Sequence, residues 1–138
     1  MRATGTFSVK AFNPTSLTPE PAIETALPVG VALMEKHYEG AIAGRSATVF
    51  TAAFDQATGV GTYVAMESFA GTVDGADGAF NFVHSASTTG ADRTAGFFAI
   101  VPSSGTGQLA GISGSGDMVI DPDGTHRIWL DYEIPPAT

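Results

Sequence analysis

The sequence predicts an all-β protein, an eight-stranded antiparallel β-barrel. β-branched and aromatic residues alternate with small or polar ones in runs of about eight to ten residues, which is typical of strands with one buried face. Turn-forming Gly, Asp and Pro residues separate these runs at the spacing expected of antiparallel hairpins. Helical periodicity is hard to find anywhere in the chain.

The run Gly105 to Gly116 supports this class, because it holds five glycines within twelve residues. Each interior glycine costs a helix about 1 kcal/mol relative to alanine, whereas strands accept glycine at bulges and corners. We therefore assign most of this run to a strand. The eight predicted strands are Thr4 to Phe12, Val29 to Tyr38, Ala41 to Phe54, Gly61 to Val73, Ala79 to Ser87, Thr94 to Val101, Gln108 to Ile120 and Thr125 to Ile134.

Between the first two strands, Asn13 to Pro28 contains four prolines, which lack amide donors and cannot belong to a central strand. We expect a long loop over one mouth of the barrel. A short helix over Pro21 to Ala26 is compatible with this loop, since proline is accepted in a first turn. The hairpin turns are assigned to Asp55 to Gly59, Asp74 to Gly78, Thr88 to Asp92 and Asp121 to Gly124.

Closing eight strands on themselves removes exposed sheet edges, although a β-sandwich would give a similar strand rhythm. A barrel of this size either fills with side chains or holds one small ligand.

Composition narrows the possible functions. At 138 residues with 43% hydrophobic content, the chain predicts one domain over residues 1–138 with a sizeable core. A net charge of −8 argues against nucleic-acid binding, and the lack of cysteine removes thiolate chemistry. Without an apolar leader or a long apolar segment, we expect a cytoplasmic protein that does not enter membranes.

Three segments and several single residues resemble a known family. They are Ala3 to Phe7 (ATGTF), Tyr63 to Gly75 (YVAMESFAGTVDG), Val101 to Gly111 (VPSSGTGQLAG), His84, Asp123 to His126, and Asp131 with Tyr132. The chain resembles small uncharacterised bacterial proteins of a domain of unknown function, grouped structurally with the allene-oxide-cyclase-like β-barrels. This resemblance implies an eight-stranded barrel with a lumen open at one end, often self-associating, and no established reaction. Asn13 to Pro28 departs from the family's usual opening loop.

The hairpin around Asp74 to Gly78 decides which side chains share a face. If Ala76 and Asp77 form a two-residue turn, odd residues of one strand face the same way as even residues of the next. A five-residue loop that pairs Val73 with Ala79 would separate them. We prefer the first register, because it collects Tyr63, Phe69, Phe80 and Phe82 with Ala65, Glu67 and His84 on one interior face.

Glu67 and His84 then lie within diagonal reach of each other. Desolvation is expected to raise the pKa of Glu67, offset if His84 is protonated, and such groups suit acid–base catalysis near neutral pH. Alternatively, the two residues satisfy each other as buried polar groups. On the last strand, Tyr132 shares a face with Ile128 and Leu130, and its hydroxyl either meets a ligand or bonds to backbone.

No metal site or cofactor is expected. Glu35, His37 and Glu39 share a face of the second strand, but further ligands are missing. The spacing Gly105-x-Gly107-x-x-Ala110 imitates a dinucleotide fingerprint, yet the glycines that follow prevent the helix that this motif requires.

Three hypotheses remain. The first is a barrel that binds a small apolar or amphipathic molecule, with Tyr63, Phe69, Phe80, Phe82, Ile128 and Leu130 as ligand contacts. The second is a cofactor-independent cyclase or isomerase that acts on a flexible polyketide- or lipid-like substrate, with Glu67, His84 and Tyr132 as candidate catalytic residues. The third is a homo-oligomeric structural protein with a filled barrel. Self-association is expected in each case.

Overall fold

A computed structural model describes residues 1–136 and confirms the predicted all-β, eight-stranded antiparallel barrel. No α-helix occurs among these residues, and none of their helical segments is long and apolar enough to cross a membrane. The strands are β1 (Arg2–Pro14), β2 (Val29–Gly40), β3 (Ile42–Asp55), β4 (Val60–Val73), β5 (Ala76–Thr89), β6 (Asp92–Ile100), β7 (Ser113–Ile120) and β8 (His126–Glu133).

The strands form one sheet in the order β6-β5-β4-β3-β2-β1-β8-β7. Each of the strands β1 to β5 pairs with the next strand in the chain, antiparallel, and β8 pairs with the edge of β1 that β2 leaves free. Strands β6 and β7 lie next to each other at the two ends of the sheet, so the barrel is nearly closed. Across this gap, Arg93 Nη1 on β6 donates a hydrogen bond of 2.8 Å to the carbonyl oxygen of Met118 on β7.

The glycine-rich run corrects one predicted strand. The predicted strand Gln108 to Ile120 was wrong in its first part, because only Ser113–Ile120 is extended and Gly107–Leu109 forms a single 3₁₀ turn. Gly107 and Gly111 both have positive φ (58° and 79°), which turns the chain instead of extending it. The turn inserts Leu109 and Ile112 as fully buried side chains at one end of the barrel.

Two further local predictions were wrong. The β4–β5 hairpin turns at Asp74 and Gly75, with Val73 opposite Ala76, two residues earlier than predicted. Both residues have positive φ, as a two-residue hairpin turn of type I′ requires, and glycine accepts this backbone easily. Because the turn moved by an even number of residues, the predicted faces are unchanged. No helix forms over Pro21 to Ala26, where the chain makes only bends.

The barrel interior has two different ends. The end that contains the β4–β5 turn is filled by an apolar core, and the end at which β4 begins is the open mouth. The fully or almost fully buried residues of this core include Tyr38, Ile42, Phe69, Val73, Phe80, Phe82, Phe98, Leu109, Ile112, Ile128, Leu130 and Tyr132. Along β4 and β5 burial alternates from residue to residue, as expected of strands with one inner face.

Candidate functional site

A buried carboxylate lies in the middle of the barrel. Glu67 on β4 is completely buried, and its Oε2 is 3.0 Å from Nζ of Lys36 on β2. Ser46 on β3 donates to Oε1 at 2.6 Å, and the Tyr38 hydroxyl on β2 donates to the same oxygen. His84 on β5 brings Nε2 within 3.1 Å of Oε2. Four donors from three other strands therefore surround one carboxylate.

These contacts reverse the expected titration of Glu67. Burial alone raises the pKa of this carboxyl group, as the sequence suggested. The hydrogen bond from His84, the charge of Lys36 and the hydrogen bonds from Ser46 and Tyr38 together outweigh burial and lower its pKa to about 2. The prediction of a raised pKa was therefore wrong, and Glu67 is ionised at neutral pH.

The tautomer of His84 follows from its neighbours. Burial lowers the pKa of His84, and this effect outweighs the hydrogen bond to Glu67, so the ring is neutral at pH 7. The Glu67 carboxylate can only accept, so Nε2 of His84 carries the proton and donates it. Nδ1 is then an acceptor, and it lies 3.3 Å from the Tyr63 hydroxyl, which donates to it.

Tyr63 connects this cluster to a cation at the edge of the sheet. Arg93 Nη2 on β6 donates to the Tyr63 hydroxyl oxygen while Nη1 holds the Met118 carbonyl. Burial raises the pKa of Tyr63 more than the positive charge of Arg93 lowers it, so the phenol stays protonated at neutral pH. A continuous hydrogen-bonded chain therefore runs from Arg93 through Tyr63 and His84 to Glu67.

One buried hydroxyl near the Lys36–Glu67 ion pair has no hydrogen-bond partner in the described part of the chain. Thr48 on β3 lies directly opposite Glu67 in the β3–β4 register and is 2% exposed. Its Oγ1 makes no hydrogen bond within residues 1–136. A buried hydroxyl without a hydrogen-bond partner is destabilising. Thr48 therefore has a hydroxyl that could still form a hydrogen bond, and it lies between the ion pair and the mouth.

Above the buried cluster, the mouth holds an apolar cavity of about 420 Å³. Tyr63 belongs to the cavity and to the buried cluster, because its ring lines the cavity and its hydroxyl is part of the hydrogen-bonded chain that leads to Glu67. The Phe50 ring stacks on the Tyr63 ring at a centroid distance of 5.3 Å, and Phe12 packs edge-on against Phe50 at 5.7 Å. The remaining lining residues are Pro14, Thr15, Pro28, Gly30, Val31, Ala32, Ala52, Phe54, Gln56, Thr62 and Thr88.

The predicted site residues separate into three groups. Glu67 and His84 lie in contact, as the predicted face requires, and Tyr63 joins them to the cavity. Tyr132 lies apart from this cluster, at the closed end of the barrel that contains the β4–β5 turn, where its hydroxyl donates to Asp74 Oδ2 at 2.6 Å. Burial, and to a smaller extent the contact with Asp74, raises the pKa of Tyr132 to about 12. The five other predicted ligand contacts lie in the apolar core and not in the cavity lining: Phe69, Phe80, Phe82, Ile128 and Leu130.

Sequence reasoning missed Lys36, Tyr38, Ser46 and Arg93. A signal for the first two was present, because Lys36 and Tyr38 alternate with Glu35 and His37 and therefore occupy the inner face of β2.

The outer face of β2 offers little for a metal. Glu35 Oε2 and His37 Nε2 pair at 2.7 Å with both side chains about half exposed. Within the described part of the chain, no group of three or more His, Asp or Glu side chains is arranged to hold a metal ion.

The fold and the site define a class of small antiparallel β-barrels with an apolar mouth above a buried ion pair. The chain belongs to the family described as "Protein of unknown function (DUF3224)", whose model matches residues 3–132.

A solved structure has the same fold. It is the crystal structure of a protein with unknown function from the DUF3224 family from Shewanella oneidensis MR-1, with 27% sequence identity and a TM-score of 0.84. The match covers 99% of this chain and 98% of that one. No curated protein matches the chain. The expected uncharacterised family is confirmed, whereas the allene-oxide-cyclase-like resemblance stays a prediction.

Proposed function

We propose that this barrel binds a small apolar or amphipathic molecule in the cavity at its mouth. The observation that carries the proposal is the cavity itself, whose volume of about 420 Å³ lies in the range of small-molecule sites. Its walls are mainly aromatic and aliphatic, and Phe12 and Phe54 remain about half exposed at the rim. Large apolar side chains left exposed around a concavity favour an apolar ligand, because binding removes them from water.

The polar end of the ligand is expected to meet Tyr63 and Arg93. The Tyr63 hydroxyl donates to His84 and accepts from Arg93, which leaves a second lone pair on its oxygen. Arg93 commits two N–H groups to Tyr63 and Met118, and a guanidinium carries five. A ligand with one oxygen-bearing end and an apolar body therefore fits both parts of the site.

A substitution that fills the cavity tests this proposal. A Cβ atom added at Gly30, which lines the cavity, would meet no atom within 4 Å, so Gly30→Phe occupies the cavity without a backbone clash. Gly96 on β6 has the same freedom and lies outside the cavity lining, so Gly96→Phe is the matched control. The probe is the neutral fluorophore N-phenyl-1-naphthylamine.

We expect saturable fluorescence enhancement with the wild type and with G96F, and loss of saturable binding with G30F. Equal binding by all three proteins would place the probe elsewhere and would overturn the proposal. Circular dichroism of both variants establishes that they fold.

The hydrogen-bonded chain supports a second candidate, cofactor-independent proton-transfer catalysis by a cyclase or isomerase. The Tyr63 hydroxyl oxygen has one unused lone pair, His84 accepts the Tyr63 hydroxyl proton, and Glu67 holds the imidazole in one tautomer. A catalytic base needs contact with the substrate and a group behind it that takes up the proton. We infer that the Tyr63 oxygen would accept a proton from the substrate while the Tyr63 hydroxyl proton passes to Nδ1 of His84, that the reverse transfer returns a proton to the isomer, and that Tyr132 takes no part.

Exchange with heavy water separates the two candidates. A compound recovered from the purified protein is incubated with the protein in D₂O and analysed by mass spectrometry. A catalyst returns an isomer or a deuterium-labelled compound, and Tyr63→Phe, which keeps the ring, binds without labelling. Tyr132→Phe, the same change at the closed end, is the control and retains labelling. An unchanged, unlabelled compound from the wild type contradicts catalysis and leaves the binding proposal standing.

A further inference from the structure

Directly beneath the mouth cavity, the inner face of the sheet carries the buried hydroxyl of Thr48. This residue is one inward position below Phe50 on β3, and its direct partner on β2, Met34, is one inward position below Ala32. Phe50 and Ala32 line the cavity, whereas Thr48 is 2% exposed. The Thr48 hydroxyl, which has no hydrogen-bond partner within residues 1–136, therefore lies immediately under the cavity floor.

Lys36 is a diagonal neighbour of Thr48 and also has hydrogen-bonding capacity left. It pairs with Ser46 in the β2–β3 register, one inward position from Thr48. An ammonium group has three N–H donors. One of them donates to Glu67 Oε2 at 3.0 Å, the centre of the Phe7 ring lies 5.1 Å from Nζ, and the described residues accept no second hydrogen bond from this ammonium. Lys36 is 3% exposed, so its remaining donor capacity is withdrawn from bulk water.

The chemistry of these two groups selects the ligand group that they can bind. The Lys36 ammonium only donates, so a ligand atom that contacts both side chains has to be an acceptor. A carbonyl oxygen has two lone pairs and accepts from both at once. A carboxylate would add a second negative charge beside Glu67, whose counter-charge is Lys36, and a buried charge without a partner is strongly unfavourable. The floor therefore favours an uncharged carbonyl group.

We propose that Thr48 and Lys36 bind the carbonyl oxygen of an uncharged ketone, aldehyde or ester whose apolar body fills the mouth cavity. This inference rests on the proposed function, because only a ligand in the cavity brings a carbonyl to its floor. It adds a recognition point of opposite character to Tyr63. The remaining lone pair of the Tyr63 oxygen accepts a hydrogen bond, whereas Thr48 and Lys36 donate.

Met34 is the side chain that moves to admit the carbonyl. It lies opposite Thr48 and is partly exposed, so it lies between the buried hydroxyl and the mouth. Its unbranched thioether side chain changes rotamer readily. Phe50, in contrast, is held by its stacking on Tyr63 at 5.3 Å. Binding then gives a partner to a hydroxyl that destabilises the empty protein.

Displacement of N-phenyl-1-naphthylamine by three matched compounds at pH 7 tests the inference. They are 2-acetylnaphthalene, its hydrocarbon isostere 2-isopropenylnaphthalene, and 2-naphthoate. Thr48→Val keeps the shape of the side chain and removes the hydroxyl. We expect it to raise the dissociation constant of the ketone about 10-fold and to change that of the hydrocarbon less than about twofold. Thr48→Ser keeps the hydroxyl and should bind the ketone within about threefold of the wild type. The wild type should bind 2-naphthoate more weakly than the ketone.

Thr51→Val is the matched control for this substitution. Thr51 lies on the same strand at an outward position, opposite Val64, which is 49% exposed. T51V is expected to leave the affinity for all three compounds unchanged, and circular dichroism establishes that the variants fold. Isotope-edited infrared spectroscopy of the ketone bound to the wild type needs no variant. Its carbonyl stretch should lie at lower frequency than in a hydrocarbon solvent, because the oxygen accepts hydrogen bonds.

The contrary results separate this inference from the proposed function. Unchanged ketone affinity in T48V, an equal loss for ketone and hydrocarbon, or a carbonyl stretch at its hydrocarbon-solvent value would overturn the inference and leave cavity binding intact. Tighter binding of 2-naphthoate than of the ketone would overturn the uncharged ligand class. A fluorophore that does not bind the wild type would overturn the proposed function, and this inference with it.

Discussion

Replacing Lys36 by methionine tests whether the buried ion pair holds the middle of the barrel together. Methionine keeps an unbranched side chain of similar length but removes the ammonium group that lies 3.0 Å from Glu67 and 5.1 Å from the centre of the Phe7 ring. Both side chains of the pair are at least 96% buried, so water cannot replace the lost partner. Glu67 would remain as a buried carboxylate with hydrogen bonds but no counter-charge.

The size of the effect follows from this geometry. Breaking a buried ion pair by removing one partner costs about 3–5 kcal/mol. Because Ser46, Tyr38 and His84 still donate to the carboxylate, we expect the lower end of this range, about 3 kcal/mol. With a urea dependence near 2 kcal/mol per molar, the unfolding midpoint of K36M should fall by about 1.5 M.

Two further variants make the result specific. Arg2→Met breaks the surface pair with Asp131, whose side chains are 60% and 46% exposed, and should leave the midpoint nearly unchanged. The double variant K36M/E67Q removes both charges and should recover at least half of the loss, because no uncompensated charge remains. A K36M midpoint equal to that of the wild type, or a fully additive double variant, would contradict a stabilising role of the ion pair.

The remaining predictions concern single groups of the same interior. Burial lowers the pKa of His84, and hydrogen bonds together with the Lys36 charge lower that of Glu67 to about 2, so the unfolded chain binds more protons than the folded one in acid. The urea midpoint of unfolding should therefore decrease as the pH falls below about 6.5, where His84 of the unfolded chain is protonated. It should decrease further below about pH 4.5, where Glu67 of the unfolded chain is protonated. The decrease of the urea midpoint between pH 7 and pH 5 should be smaller in His84→Gln than in the wild type. An equal decrease in both proteins would mean that another group causes it. Thr48→Val should stabilise by about 1 kcal/mol in urea titrations, because it removes an unpaired hydroxyl; a loss would show that the hydroxyl is bonded. Gly78→Ala should destabilise by about 2 kcal/mol, since its Cβ would lie 2.1 Å from the Thr106 carbonyl oxygen, and an unchanged thermal midpoint would contradict that contact.

The β4–β5 hairpin shows what the sequence could determine and what it could not. The aromatic pattern fixes which residues of β4 and β5 face inward, because side chains alternate with a period of two. It does not fix which residues lie opposite each other. Moving the turn from Ala76 and Asp77 to Asp74 and Gly75 leaves the same face buried, so Glu67 and His84 remain diagonal neighbours in either register.

The sign of the Glu67 pKa shift could not be obtained in the same way. Burial of Glu67 follows from the pattern of β4 alone, and burial raises a carboxyl pKa. Of the groups that lower it, only His84 lies on β5; the others come from β2 and β3, and their positions depend on two further strand registers. Likewise, the glycine-rich run excludes a helix, but only the positive φ angles of Gly107 and Gly111 separate a turn from a strand.

Native mass spectrometry of the protein as purified from cells tests whether the mouth cavity holds a small molecule. The wild type and G96F should carry an additional small-molecule mass that organic solvent releases, and G30F, with Phe inside the cavity, should lack it. If all three proteins have only the mass of the chain, or if G30F retains the same adduct, binding in the mouth cavity is contradicted.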